Sequence, residues 1–173
     1  FYSARWFADV EALAAWNRSS YGTSSLEAAR DFIAARFAGL GLDVELMPFT
    51  MPGVGAGTIT RHNVIGTWTG STQPEEWIVV GGHYDSRNNL ATSTSPTPGA
   101  EDNATGCAGV IGLAHMLVES EPTRSIAFIC YSGEEQGLRG SRAHVARLES
   151  AMARVNLELE TVSRILLSLV TEH

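Results

Sequence analysis

Three short segments carry residue types able to hold a metal and move a proton: Gly81-Gly82-His83-Tyr84-Asp85-Ser86, Pro98-Gly99-Ala100-Glu101-Asp102-Asn103-Ala104-Thr105-Gly106 and Ser132-Gly133-Glu134-Glu135-Gln136-Gly137. Histidine, aspartate and glutamate all serve as zinc ligands. In the first segment an apolar strand runs into His83, with Asp85 two residues on. Alternation along an extended chain puts both on one side, where Asp85 can accept a hydrogen bond from the ring and fix its tautomer. Alone, such a pair is an ordinary surface feature.

In the second segment two acids precede an apolar helix. Glu101 and Asp102 there suit either a metal or the helix dipole, and Asn103 or Thr105 suits a cap. In the third, Glu134 and Glu135 follow a strongly apolar run, and adjacent carboxylates repel unless a cation or a proton intervenes. Metal-assisted hydrolysis uses such a pair by dividing the work. One carboxylate ligates, and the other takes a proton from water whose pKa the metal has lowered. Asp102, with two oxygens, suits a bridge between two metals.

The surrounding pattern predicts the elements that position these groups. Phe7, Val10, Leu13 and Ala14 recur at helical spacing within 3–17. Ser24 and Glu27 form a capping box for a second helix with its stripe at Leu26, Ala29, Phe32, Ile33 and Phe37. Segments 44–49, 62–68, 77–81 and 125–131 read as strands, the last nearly continuous in apolar residues and therefore central. Cys107, Val110, Ile111, Ala114 and Leu117 mark a helix face after Thr105. Residues 86–99 read as a surface loop, 154–159 as a short strand, and 162–170 as a last helical stripe. Strands and helices interleave, which predicts an α/β fold.

A chain of 173 residues, 44% hydrophobic and 18% charged, fits one folded domain. Its net charge of −7 excludes a nucleic-acid or anionic-membrane surface as the expected partner. No apolar stretch reaches a bilayer-spanning length, and no basic-then-apolar leader opens the chain. Cys107 and Cys130, both in apolar runs, read as buried free thiols.

GGHYDS, PGAEDNATG and SGEEQGLRGS, in that order, resemble the co-catalytic zinc aminopeptidases of the bacterial leucyl aminopeptidase type, relatives of glutamate carboxypeptidase and glutaminyl cyclase. The likeness runs from about Ser24, through Asn63-Val64-Ile65, to about Glu158. It implies a three-layer α/β/α sandwich with a mixed, mostly parallel sheet, incomplete on its C-terminal side, in one catalytic domain over 1–173 with a divergent tail at 160–173.

The resemblance also implies two zinc ions. His83 binds one, Asp102 bridges, Glu135 binds the other, Glu134 is the general base and Asp85 orients His83. Glu158 stands where the family offers a further acid on a strand, and the family's later histidine has no counterpart. The expected activity is removal of residues from the free amino end of peptides, by a secreted or periplasmic protein. Two other readings stay open: an inactive metal-binding assembly fragment, and a glutaminyl-peptide cyclase. An uncovered sheet edge would make a homo-oligomer one way to complete the fold.

Overall fold

The computed structural model describes residues 2–22, 24–87 and 97–171, with side chains up to residue 160. The chain divides into two compact units, Phe1–Ser141 and Arg142–His173.

The first unit opens with helices α1 (Tyr2–Ala14) and α2 (Ser24–Gly39), followed by strands β1 (Asp43–Pro52), β2 (Thr58–Trp68) and β3 (Gln73–His83). After an irregular turn at Ala100–Ala104 come helix α3 (Thr105–Val118), strand β4 (Arg124–Tyr131) and the first residues of helix α4 (Arg139–Thr171). All four sequence-predicted strands of this unit are present, each longer than its apolar kernel. Backbone pairing carries the ladders outward past the residues that pack.

The sheet order is β1-β2-β4-β3. β1 pairs with β2 and β2 with β4 antiparallel, whereas β3 and β4 run parallel. The sheet is mixed, as the resemblance implies, but among the described strands antiparallel pairings outnumber the parallel one. The reason is local: β1 and β2 are joined by a tight turn in which Gly53 donates to the Gly57 carbonyl at 3.0 Å, and a short connection permits only an antiparallel return. The parallel pair needs the long crossover that α3 supplies.

That crossover positions the site. His83 is level with Tyr131 in the β3–β4 register, so both chains leave the sheet at the same edge. Tyr84 extends the ladder by donating to the Tyr131 carbonyl at 2.8 Å. The segments after the two strands therefore emerge side by side, at the carboxyl end where open α/β sheets gather ligands.

The core joins one face of the sheet to α1, α2 and α3. Leu13, Ile33, Phe37, Val64, Cys107 and Phe128 are among its fully buried members. Cys107 and Cys130 are free thiols within it. β4 is buried from Ser125 to Cys130, as a central strand should be. β3 is one edge of the sheet, and Trp77, Ile78 and Val79 are exposed there.

The second unit is the body of α4, and it corrects the strand predicted over 154–159. Residues 141–171 contain no glycine or proline, and they are rich in Ala, Leu, Glu and Arg, all good helix formers. The brief alternation Val155-Asn156-Leu157-Glu158-Leu159 that reads as a strand is embedded in a longer 3.6-residue period. Glu158 is thus an exposed helical residue rather than a strand carboxylate.

Phe128 fills the centre of the packed face at 0% exposure. Phe128→Ala is expected to lower the unfolding free energy by about 3–5 kcal/mol. A fall in the urea midpoint at unchanged denaturant slope is the check.

Candidate metal centre

The site rests on a carboxylate with no exposure, that of Asp85. Ser20 Oγ donates to its Oδ2 at 2.9 Å, the Glu134 N–H to its Oδ1 at 3.2 Å, and the Glu135 N–H to its Oδ2 at 3.3 Å. His83 Nδ1 lies 3.5 Å from Asp85 Oδ1 and 3.0 Å from the Asp85 carbonyl. One buried acid thus fixes the ring of His83 and both backbone amides of the Glu-Glu pair. With Nδ1 turned toward Asp85, Nε2 is the nitrogen that could ligate a metal. This is the arrangement by which a second acid sets the tautomer of a metal-binding histidine.

Nε2 faces acids. It stands 3.1 Å from Asp102 Oδ1 and 3.8 Å from Glu134 Oε2. Burial pulls the imidazolium of His83 down, but the hydrogen bond and charge of Asp85, with Glu134 beside it, outweigh this and lift its pKa to about 9. Burial pushes the Glu135 carboxyl up, Asp102 pushes it further, and Arg87 opposes them. The cluster is therefore a concentration of negative charge around one ring.

Asp102 lies on the Ala100–Ala104 turn, whose backbone departs from helix at Asp102 (φ −119°, ψ 92°) and Asn103 (φ −140°, ψ 51°). The Asp102–Asn103 peptide is cis. Asn103 then caps α3, its Oδ1 accepting from the Gly106 N–H at 2.8 Å. The two neighbours thus face different ways: Asn103 bonds the first turn of α3 and Asp102 projects toward His83. Gly99 starts the turn at φ 46°, where a Cβ would meet the Asp102 carbonyl oxygen at 2.4 Å.

The Glu-Glu loop is held as tightly. Asn63, fully buried on β2, accepts from the Ser132 N–H at 3.1 Å and donates to the Gly140 carbonyl at 2.9 Å, closing the loop between β4 and α4. Gly133 bends the chain at φ 70°. Arg87 caps the outer side, with Nη1 donating to the Glu135 carbonyl at 3.2 Å and Nε 3.5 Å from Glu135 Oε2.

Sequence reasoning missed Arg18. Its side chain is fully buried and donates from Nε to the Tyr84 carbonyl at 2.7 Å, from Nη1 to Pro98 at 2.7 Å and to Leu13, and from Nη2 to Gly99 at 2.8 Å. Four carbonyls on three segments converge on one guanidinium, so the strand end bearing His83 and the turn bearing Asp102 share an anchor. Nothing in the polar run from Asn17 to Thr23 announces this, because a lone arginine there reads as solvated. Ser20, Asn63 and Arg87 were equally silent as supports.

Among the described residues no group of three or more His, Cys, Asp or Glu side chains is placed so that it could hold a metal ion as it stands. The donor set nonetheless fits zinc. Two ligand atoms on one tetrahedral zinc are about 3.3 Å apart, from bond lengths near 2 Å, and His83 Nε2 and Asp102 Oδ1 are 3.1 Å apart. The ring also has its tautomer set from behind, and mutually repelling carboxylates complete the set. The structure brings His83, Asp85, Asp102, Glu134 and Glu135 into one cluster. Glu158 lies on α4 in the second unit.

Residues 63–166 match the family described as peptidase family M28. The chain belongs to that family. Among relatives of this M28 chain, a probable zinc metalloprotease of Leptosphaeria maculans is 35% identical over 158 residues, which cover 86% of this chain and 36% of that protein. A probable aminopeptidase of Saccharomyces cerevisiae is 32% identical over 72% of this chain and 34% of its own length. The M28 chain thus spans about a third of these relatives. The solved aminopeptidase from Aneurinibacillus sp. strain AM-1 shares the fold, with a TM-score of 0.72 at 15% identity over 84% of this chain and 66% of that one.

Replacing Arg18 by Met leaves four carbonyls without their donor. This is expected to cost on the order of 3–5 kcal/mol of stability and to weaken zinc binding, because the His83 and Asp102 segments lose their common anchor. Denaturant unfolding and equilibrium dialysis against zinc are the checks. Arg18→Lys should recover part of the stability only.

Proposed function

We propose that this chain is the metal-binding and general-base portion of a zinc aminopeptidase, with His83, Asp102 and Glu135 as the protein ligands and Glu134 as the base. The observation that carries the reading is the opposition at His83: Nδ1 is held by a buried acid, and Nε2 is aimed at Asp102 with Glu134 beside it. A histidine fixed at one nitrogen and surrounded by carboxylates at the other is a ligand prepared for a cation.

His83 Nε2 and Asp102 would hold one ion, and Asp102 with Glu135 would supply ligands toward a second. Zinc held by these residues would supply an acidified water and a polarised substrate carbonyl.

The remaining steps belong to this chain's own groups. The Glu134 backbone is pinned by Asp85, while its side chain, 37% exposed, reaches the open side of the cluster. Glu134 Oε2 accepts the proton from the attacking water and returns it to the departing amine nitrogen, so the acid ends ionised as it began. Arg87 restrains Glu135, which separates the roles of the two neighbouring carboxylates. The hydrolytic reading is preferred to cyclisation of N-terminal glutamine because the relatives above 30% identity bear protease and aminopeptidase names.

Glu134→Gln keeps the size of the side chain and removes its capacity to accept a proton. Hydrolysis of an aminoacyl-nitroanilide is expected to fall by about 10²–10⁴-fold, with zinc content measured by atomic absorption unchanged. Undiminished turnover in the variant, or a wild-type chain that retains no zinc at neutral pH, would contradict the assignment.

A further inference from the structure

Cys107 and Cys130 are the two cysteines of the chain, and both lie in the core without exposure. They come together behind the metal cluster. Cys130 is level with Gly82 in the parallel β3–β4 pairing, and registered neighbours put their side chains on the same face of a sheet. That face is the one α3 covers: a Cβ at Gly82 would stand 3.2 Å from the Gly106 carbonyl carbon and 3.5 Å from the Cys107 nitrogen. The first turn of α3 therefore rests directly on the strand pair that carries Cys130, and the missing side chain at Gly82 lets it come so near. Burial pushes the Cys107 thiol well above its ordinary pKa, and the Cys130 thiol beside it pushes it further. Because the thiolate is the reactive form, Cys107 is inert while the core stays closed.

We propose that Cys107 and Cys130 join in an intramolecular disulfide when the chain meets a low-molecular-weight disulfide while its core is open. The bond ties the helix that follows Asp102 to the strand that precedes Glu134, and so holds the two site segments together from behind. Each step is thiol–disulfide exchange. One cysteine thiolate attacks the small disulfide, breaks its S–S bond and expels one small thiol. The second thiolate then attacks the protein sulfur of the mixed disulfide and expels the other. The two cysteines give up two protons and two electrons, and the oxidant leaves as two thiols.

The full 173-residue chain, incubated with oxidised glutathione at a urea concentration just below its unfolding midpoint, tests this. Transient opening exposes both thiols there. Alkylation in strong denaturant is then expected to label neither cysteine, the intact mass to fall by the two hydrogens lost, and a peptide map to join Cys107 to Cys130. The closed loop spans about 23 residues, so the unfolding equilibrium constant of the oxidised chain should be on the order of a hundredfold lower than that of the reduced one. Cys130→Ala has no second sulfur to close the bond, and the same treatment should give it no such gain. Two labelled thiols, glutathione adducts on the unsubstituted chain, a linked dimer, an oxidised chain no more stable than the reduced one, or an equal gain in Cys130→Ala would each overturn the proposal.

Discussion

Burying a carboxylate without exposure is costly unless donors surround it, and Asp85 is surrounded by groups that the site itself needs held. The hydroxyl of Ser20 ties it to the loop between α1 and α2. Two amides tie it to the Glu-Glu turn, and the ring of His83 leans on it from the end of β3. Removing the acid would unfasten three segments together. The level ending of β3 and β4 makes this possible, since only parallel strands in that register deliver His83 and Glu134 to the same edge.

A second buried charge complements the first. Arg18 gathers carbonyls from the strand end, from the turn that bears Asp102 and from the end of α1, and it does so as a donor-only group with the reach to satisfy all of them. The acid organises amides and an imidazole, and the guanidinium organises carbonyls. Between them the candidate ligands are positioned by backbone that is itself hydrogen-bonded, which is how a site avoids depending on loop flexibility.

Much of this was legible in the residues. Apolar periodicity located α1 to α3 and β1 to β4 because each packs one face or stripe against a common core, and the ligand candidates stand out because three acid-bearing segments, each ordinary alone, recur in one order along the chain. The supports were illegible. The bonds that tie Arg18, Ser20 and Asn63 to the segments bearing the candidate ligands span 65 to 81 residues of chain, and most of them end on carbonyls and amides that carry no side-chain signature. The tail misled for a different reason. Five alternating residues at 155–159 fit a strand when read alone, and only the longer period from Val145 to Leu169 reveals the helix. Local alternation is weak beside a repeat sustained over seven turns.

The central claim is that Asp85, which touches no substrate, sets the metal affinity of His83 and the Glu-Glu turn. Zinc affinity of Asp85→Asn, measured by competition with a chromophoric chelator on protein shown to unfold cooperatively, tests it most directly. The amide keeps the size of the carboxylate but loses its charge and one acceptor oxygen, so binding is predicted to weaken by about 10–100-fold. Affinity equal to that of the wild-type chain would contradict the account.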